Sequence, residues 1–306
     1  MAPAPPLLLK TAVAALPLIA LLVWADKTVP QAGVWALLLL SVSVGFVHGA
    51  LDAVLLPQRF ASRWQAALMF VAYLLLVLLL GWLLGAAISL ALWVLLLMSA
   101  WHFGEPYGRW DGRSHWKSGL TRAVVGGAPV MLPVWLAPDQ LAMILTDVVP
   151  AAGLRGWQVM AWLWLCMLAA WLLAGGMRKS RKLRHAWFEL LGCLALYALF
   201  SPLMAFALYF GVYHAPVHIW RVWRASATAA SNVSTCLAVS AVALTTVLTW
   251  LLGAGLWWFL TPGFATALDL PAALQWLIVA FAALTAPHLV LISLCAAFLT
   301  GPNSNR

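Results

Sequence analysis

The chain is a succession of long apolar runs broken by short polar stretches. A bilayer-crossing helix needs about 20 apolar residues, fewer where a span is short or partly interfacial. Runs of this kind occupy residues 7–24, 33–56, 65–84, 86–104, 119–137, 156–175, 187–200, 202–220, 235–259 and 272–299. They predict an all-α fold, a polytopic integral membrane helical bundle of about ten transmembrane helices, in a single domain covering residues 1–306. The seventh run is short and Ser201-Pro202 separates it from the eighth, so the competing count is nine spans with one long broken helix. The first run also carries features of a secretory signal peptide: Lys10, an apolar core, and Val23-Trp24-Ala25 resembling a cleavage site. The orientation of the remaining spans is the same under either reading.

Composition sharpens this reading. The chain is 65% apolar and only 8% charged, where soluble domains carry about 25% charged residues. A water-facing surface cannot be built from it. Twenty tryptophans fit a membrane protein, because Trp concentrates at the two interfaces. The net charge of +9 has a topological origin rather than a nucleic-acid partner. With the N-terminus cytoplasmic, all but Lys27 and Arg155 of the 17 Lys and Arg fall on the inner side. Loops 105–118 and 176–186 are then cytoplasmic, loops 138–155 and 260–271 lie outside, and both termini are inside. Cys166, Cys193, Cys236 and Cys295 form no C-x-x-C pair and read as buried free thiols.

Five of the seven histidines lie in these spans: His48, His102, His214, His218 and His288. All are in runs that pass from outside to inside, and His48 and His214 fall roughly 9–12 Å from the inner ends of their helices. His214 and His218, in YFGVYHAPVHIWR, are four residues apart, which stacks both imidazoles on one helical face where they can hold one metal ion. Pro216 between them predicts a kink. His115 and His185 belong to basic loops and read as solvated. A lone membrane histidine can simply bond a neighbouring helix, but four helices presenting imidazole at similar depth point to a shared site.

Two acids sit beside histidines. Asp52 follows His48 by four residues and Glu105 follows His102 by three. Asp52 is expected to accept the second ring N–H of His48 and fix its tautomer. Glu105 either does the same for His102 or is a solvated helix-end residue. His288, after Pro287, is a ligand or supports the pocket. Gly45, Gly49 and Gly104 would let helices approach closely, and Trp101, Phe103, Tyr107, Tyr209, Phe210 and Tyr213 either line a pocket or are ordinary interfacial aromatics. All-histidine ligation leaves Zn, Cu, Fe and Ni open. The residues alone reach an intramembrane histidine metal site, with catalysis on a lipid-soluble substrate favoured. The alternatives are a metal or proton transporter, for which a polar file through the whole bilayer is missing, and a bis-histidine haem protein.

The segments GFVHGALD (45–52), SAWHFG (99–104), YFGVYHAPVH (209–218) and LTAPHLVLI (284–292) resemble, in order, the Brp/Blh family of bacterial β-carotene 15,15′-dioxygenases. The resemblance runs from about residue 35 to 300. It implies an enzyme of the bacterial inner membrane that splits the central double bond of β-carotene with O2 to give retinal. It implies Fe(II) as cofactor, with His48, His102, His214 and His218 as metal-binding and catalytic residues. Two positions depart from the family pattern: Tyr107 stands where an acid often follows the HFG segment, and apolar Ala215-Pro216-Val217 joins His214 to His218.

Overall fold

The computed structural model describes residues 18–29, 31–52, 62–107, 115–146, 148–176, 181–229, 235–260 and 270–299. Among them there is no strand. The helices are α1 (18–28), α2 (Ala32–Ala50), α3 (Arg63–Gly85), α4 (Ile88–Phe103), α5 (His115–Leu136), α6 (Pro138–Leu145) and α7 (Ala151–Trp171). They continue with α8 (Arg181–Leu199), α9 (Pro202–Leu208, extended through Ala215–Ala229), α10 (Thr235–Leu260) and α11 (Leu270–Leu299). Proline opens α6 and α9, where its missing N–H costs nothing. Past α7, Gly175 takes a positive φ of 96°, which stops the helix.

Among the described residues, each apolar run from residue 33 onward coincides with a helix; residues 7–17 of the first run and 53–56 of the second lie outside them. Five stretches are long and apolar enough to cross a membrane: Ala32–Ala50, Trp64–Gly85, Trp116–Leu136, Gly153–Gly175 and Ala273–Leu291. Ile88–Phe103 and Val239–Gly255 are shorter apolar helices. The other expected spans are the first run, most of which lies outside the described residues, α8, which opens with basic residues, and α9, which is interrupted. The loops expected at 105–118 and 176–186 are shorter than that: α5 starts at His115 and α8 at Arg181. His185 is therefore exposed on the first turns of α8 rather than in a loop. Long basic side chains let a helix run on past the apolar layer with their heads in water.

α5 lies at the centre, against α4, α7 and α8. Its Pro129 and Pro133 remove two intrahelical bonds and free carbonyls inside the bundle. The Tyr197 hydroxyl on α8 donates to the Pro129 carbonyl. Tryptophans at heptad spacing on α7 do similar work: Trp157 donates to Val130 O at 2.9 Å, Trp164 to Val124 O at 2.9 Å, and Trp171 to Thr121 Oγ1 at 3.0 Å. These three are buried staples between helices, not members of an interfacial belt.

Two helices that carry site histidines contain a π turn, Ser41–Gly45 in α2 and Tyr209–His214 in α9, and a third π turn, Leu172–Gly176, ends α7. In α9 the cause is Pro216, whose ring crowds the carbonyl four residues back at Val212, inside the turn. The predicted kink takes this form. In α2, Ser41 and Ser43 turn their hydroxyls back onto the carbonyls of Leu37 and Leu39. The Val42 carbonyl accepts instead from Trp250 Nε1 of α10, at 2.8 Å.

Candidate metal centre

The two π turns and the ends of α2 and α4 bring five imidazoles to one place. His48 is in the last turn of α2, His102 in the last turn of α4, and His214 closes the π turn of α9 with His218 one turn on. His288 follows Pro287 in α11. The ring of His48 lies 5.6 Å from His102, 5.5 Å from His214, 4.3 Å from His218 and 5.0 Å from His288, centre to centre. His102 is 5.0 to 5.4 Å from His214, His218 and His288. The Nε2 atoms of His48 and His102 are 3.4 Å apart. One nitrogen from each of His48, His102 and His218 falls within 4.8 Å of the other two. The structure thus gathers all four histidines expected as ligands and adds the fifth.

The rings meet apolar neighbours on one side, while His102, His214 and His218 also border a polar recess. Phe103 meets His214 edge-on at 4.5 Å, and Phe210 lies 6.2 Å from His48. The Nε2 atoms of His214, His218 and His288 and the Nδ1 of His102 are buried without a hydrogen-bond partner. Several convergent imidazole nitrogens left unpaired in an apolar site would be costly by themselves. A divalent metal would satisfy the Nε2 atoms among them, and neutral imidazole is the donor that transition metals accept.

The two acids do not sit where the spacing suggested. Asp52 is buried, and both its oxygens lie against His288 Nδ1, at 2.9 and 3.0 Å, rather than against His48. Spacing of four fixes the helical face but not the neighbour, and α11 packs over that face of α2. Asp52 also accepts from Tyr73 on α3 at 2.8 Å. Glu105 lies in the turn Glu105–Tyr107 and makes no contact with His102 Nδ1, which has no partner. It lines a polar recess of about 330 Å3 with Glu189, Tyr213 and Arg221.

Glu189, on α8, is an acid in an apolar run that sequence reasoning passed over. Tyr107 donates to it at 2.6 Å and Tyr209 at 3.0 Å. A third acid in the spans, in the segment Phe188-Glu189-Leu190, was the available signal. Among the aromatics weighed earlier, Phe103 and Phe210 line the site, while Trp101 is exposed and carries the Arg122 guanidinium 3.6 Å over its ring.

On the other side of the histidines is an apolar cleft of about 1280 Å3, measured to its open mouth. Its walls include Phe70, Leu74 and Val77 of α3, Leu252 of α10, and Phe281 and Leu284 of α11, with His48, His102 and His288 at its polar end. Gly49 also faces it, with nothing within 4 Å of where a Cβ would stand, so this glycine widens the cleft rather than admitting a helix. Close approach does occur at Gly45, whose Cβ would come within 2.8 Å of Phe210, and at Gly104.

A helical membrane protein with a buried cluster of histidines at the end of an apolar cleft is the class that fold and site define. The family of β-carotene 15,15′-dioxygenases matches residues 39–296, and the chain belongs to that family. It is 27% identical over 282 residues, covering 89% of this chain and 96% of the relative, to a β-carotene 15,15′-dioxygenase from uncultured marine bacterium 66A03. No solved structure matches the chain.

Proposed function

We propose that the protein cleaves the central double bond of β-carotene with O2, yielding two molecules of retinal. The observation that carries this is the histidine cluster itself, three of whose rings, His48, His102 and His288, line an apolar cleft. In the reaction one C=C bond breaks and each carbon takes one atom of O2, so one polyene and one O2 become two aldehydes. Fe(II), when bound, supplies the activation of dioxygen. His48, His102, His214 and His218 are the residues that would hold it, and their unpaired buried nitrogens fit a soft-to-borderline cation.

The rest of the work belongs to the cleft. A hydrocarbon offers no hydrogen-bonding handle, so binding comes from area removed from lipid and water and from shape. Phe210 stacks parallel to Phe206 at 6.1 Å and meets Phe281 edge-on at 5.5 Å, which gives the cleft rigid flat walls beside His48. Holding the polyene in one register against the reacting centre is the protein's main contribution to rate and to the choice of bond. The apolar walls also keep water from the site. The Lys and Arg distribution favours cytoplasmic termini in an inner membrane, and α3 and α10 would then present the cleft to lipid, the source of the substrate.

Expression in cells that make β-carotene, followed by chromatography of the pigments, tests the proposal. Loss of β-carotene with equivalent retinal is expected. Unchanged β-carotene alongside folded, metal-loaded protein would overturn it.

A further inference from the structure

We infer that His288 is a fifth metal ligand, held in place by a chain running from Tyr73 through Asp52. The inference deepens the proposed function and rests on the metal centre within it. Both carboxylate oxygens of Asp52 lie 2.9 to 3.0 Å from Nδ1 of His288, so this nitrogen carries the proton and Nε2 carries the lone pair. That Nε2 is buried and has no partner. The His288 ring is 5.0 Å from His48, 5.1 Å from His102 and 5.5 Å from His218, as close as the other four are to one another. A buried Nε2 without a partner, on a ring packed against three of the four expected ligands, has one evident use.

The support behind it is built for the purpose. Asp52 is 1% exposed, and a carboxylate buried that far in apolar surroundings is costly unless bonded. Its second donor comes from α3, which otherwise faces outward along Trp64, Leu68, Leu75, Leu78 and Trp82. Tyr73 turns inward to reach Asp52 at 2.8 Å. A histidine donating its distal N–H to a carboxylate is a more basic and better oriented ligand. Three helices, α2, α3 and α11, therefore set one ring.

The test uses purified full-length protein and reads the metal rather than turnover. Wild type, H288Q, D52N and Y73F are loaded with Co(II) and the ligand-field spectrum is recorded. Fe(II) retained per folded protein is then measured against a competing chelator. H288Q is expected to change the Co(II) spectrum and lower affinity most. D52N should lose about 10–100-fold in affinity, and Y73F less. H288Q with wild-type spectrum and affinity overturns the inference, as does lowered thermal stability with an unchanged spectrum on the folded fraction. Retinal formation by wild type with an unaltered H288Q spectrum would leave the dioxygenase reading standing and remove this one. An altered H288Q spectrum without retinal from wild type would do the reverse. A wild type that binds neither metal removes both.

Discussion

Tyr107 donates its hydroxyl to Glu189 at 2.6 Å, tying the turn after His102 to the middle of α8. Where the resemblance leads to an acid being expected, Tyr107 supplies the donor, and the acid comes from another helix. Tyr209, next to the α9 histidines, shares the same carboxylate at 3.0 Å. Tyr107→Phe should therefore lower stability by about 1.5–3 kcal/mol, the range for hydrogen bonds to charged groups. Glu189→Leu should cost more, since it strands two hydroxyls. Thermal unfolding in detergent measures both, and a Glu189→Leu protein as stable as wild type would contradict the role.

Alanine at His48, His102, His214 or His218 should abolish bound iron and retinal formation together. Alanine at the exposed His185 should leave both at wild-type levels. Metal analysis and pigment chromatography on the same preparations check this division, and full metal content in His102→Ala would break the four-histidine assignment.

Gly126 and Gly104 let α4 and α5 cross almost backbone to backbone. A Cβ at Gly126 would stand 2.0 Å from the Ala100 carbonyl, and one at Gly104 2.0 Å from that of Arg122. Backbone cannot yield as a side-chain tip can, so Gly126→Ala must push the end of α4 away and carry His102 with it. A loss of at least the ~1–3 kcal/mol usual for overpacking is expected, with reduced metal affinity in whatever folds. Wild-type unfolding temperature and iron content would refute the close crossing.

Gly49→Leu asks the opposite question, because the space there is open. The new side chain should enter the cleft without disturbing the helices. Folding and iron content should stay near wild type while β-carotene cleavage falls at least tenfold. Undiminished cleavage would place the substrate elsewhere.

Reporter fusions in loops 105–118 and 176–186 should give cytoplasmic signals, and fusions in 138–155 and 260–271 the reverse. Exchanged signals would invert the orientation drawn from Lys and Arg.

The histidines were legible because an ionisable ring in an apolar helix is expensive, and four at one depth restrict the explanations. Asp52 was legible as a supporting acid but not as the partner of His288, because periodicity gives the face of α2 and not which helix covers it. Tyr73 was hidden for the same reason, on a helix that reads as uniformly apolar. Glu189 could have been found, being an acid in an apolar run four residues after His185, but that histidine reads as a solvated loop residue and draws no attention to it. Trp157, Trp164 and Trp171 show a limit of composition: the count of tryptophans suits an interface, whereas their spacing of seven marks one buried stripe.

The π turns at Ser41–Gly45 and Tyr209–His214 each hold one residue more than a regular helix would. Removing a single residue from 41–45 would change no ligand and leave the apolar run intact. Because the π turn absorbs that surplus residue, a regular helix without it would still present His48 and Asp52 in the same phase toward α4 and α11. A helix drawn with uniform periodicity across this stretch puts His48 on the wrong side. The centre is thus specified by the phase of two helices as well as by the identity of its rings, and a variant shortened by one residue within 41–45 should keep both.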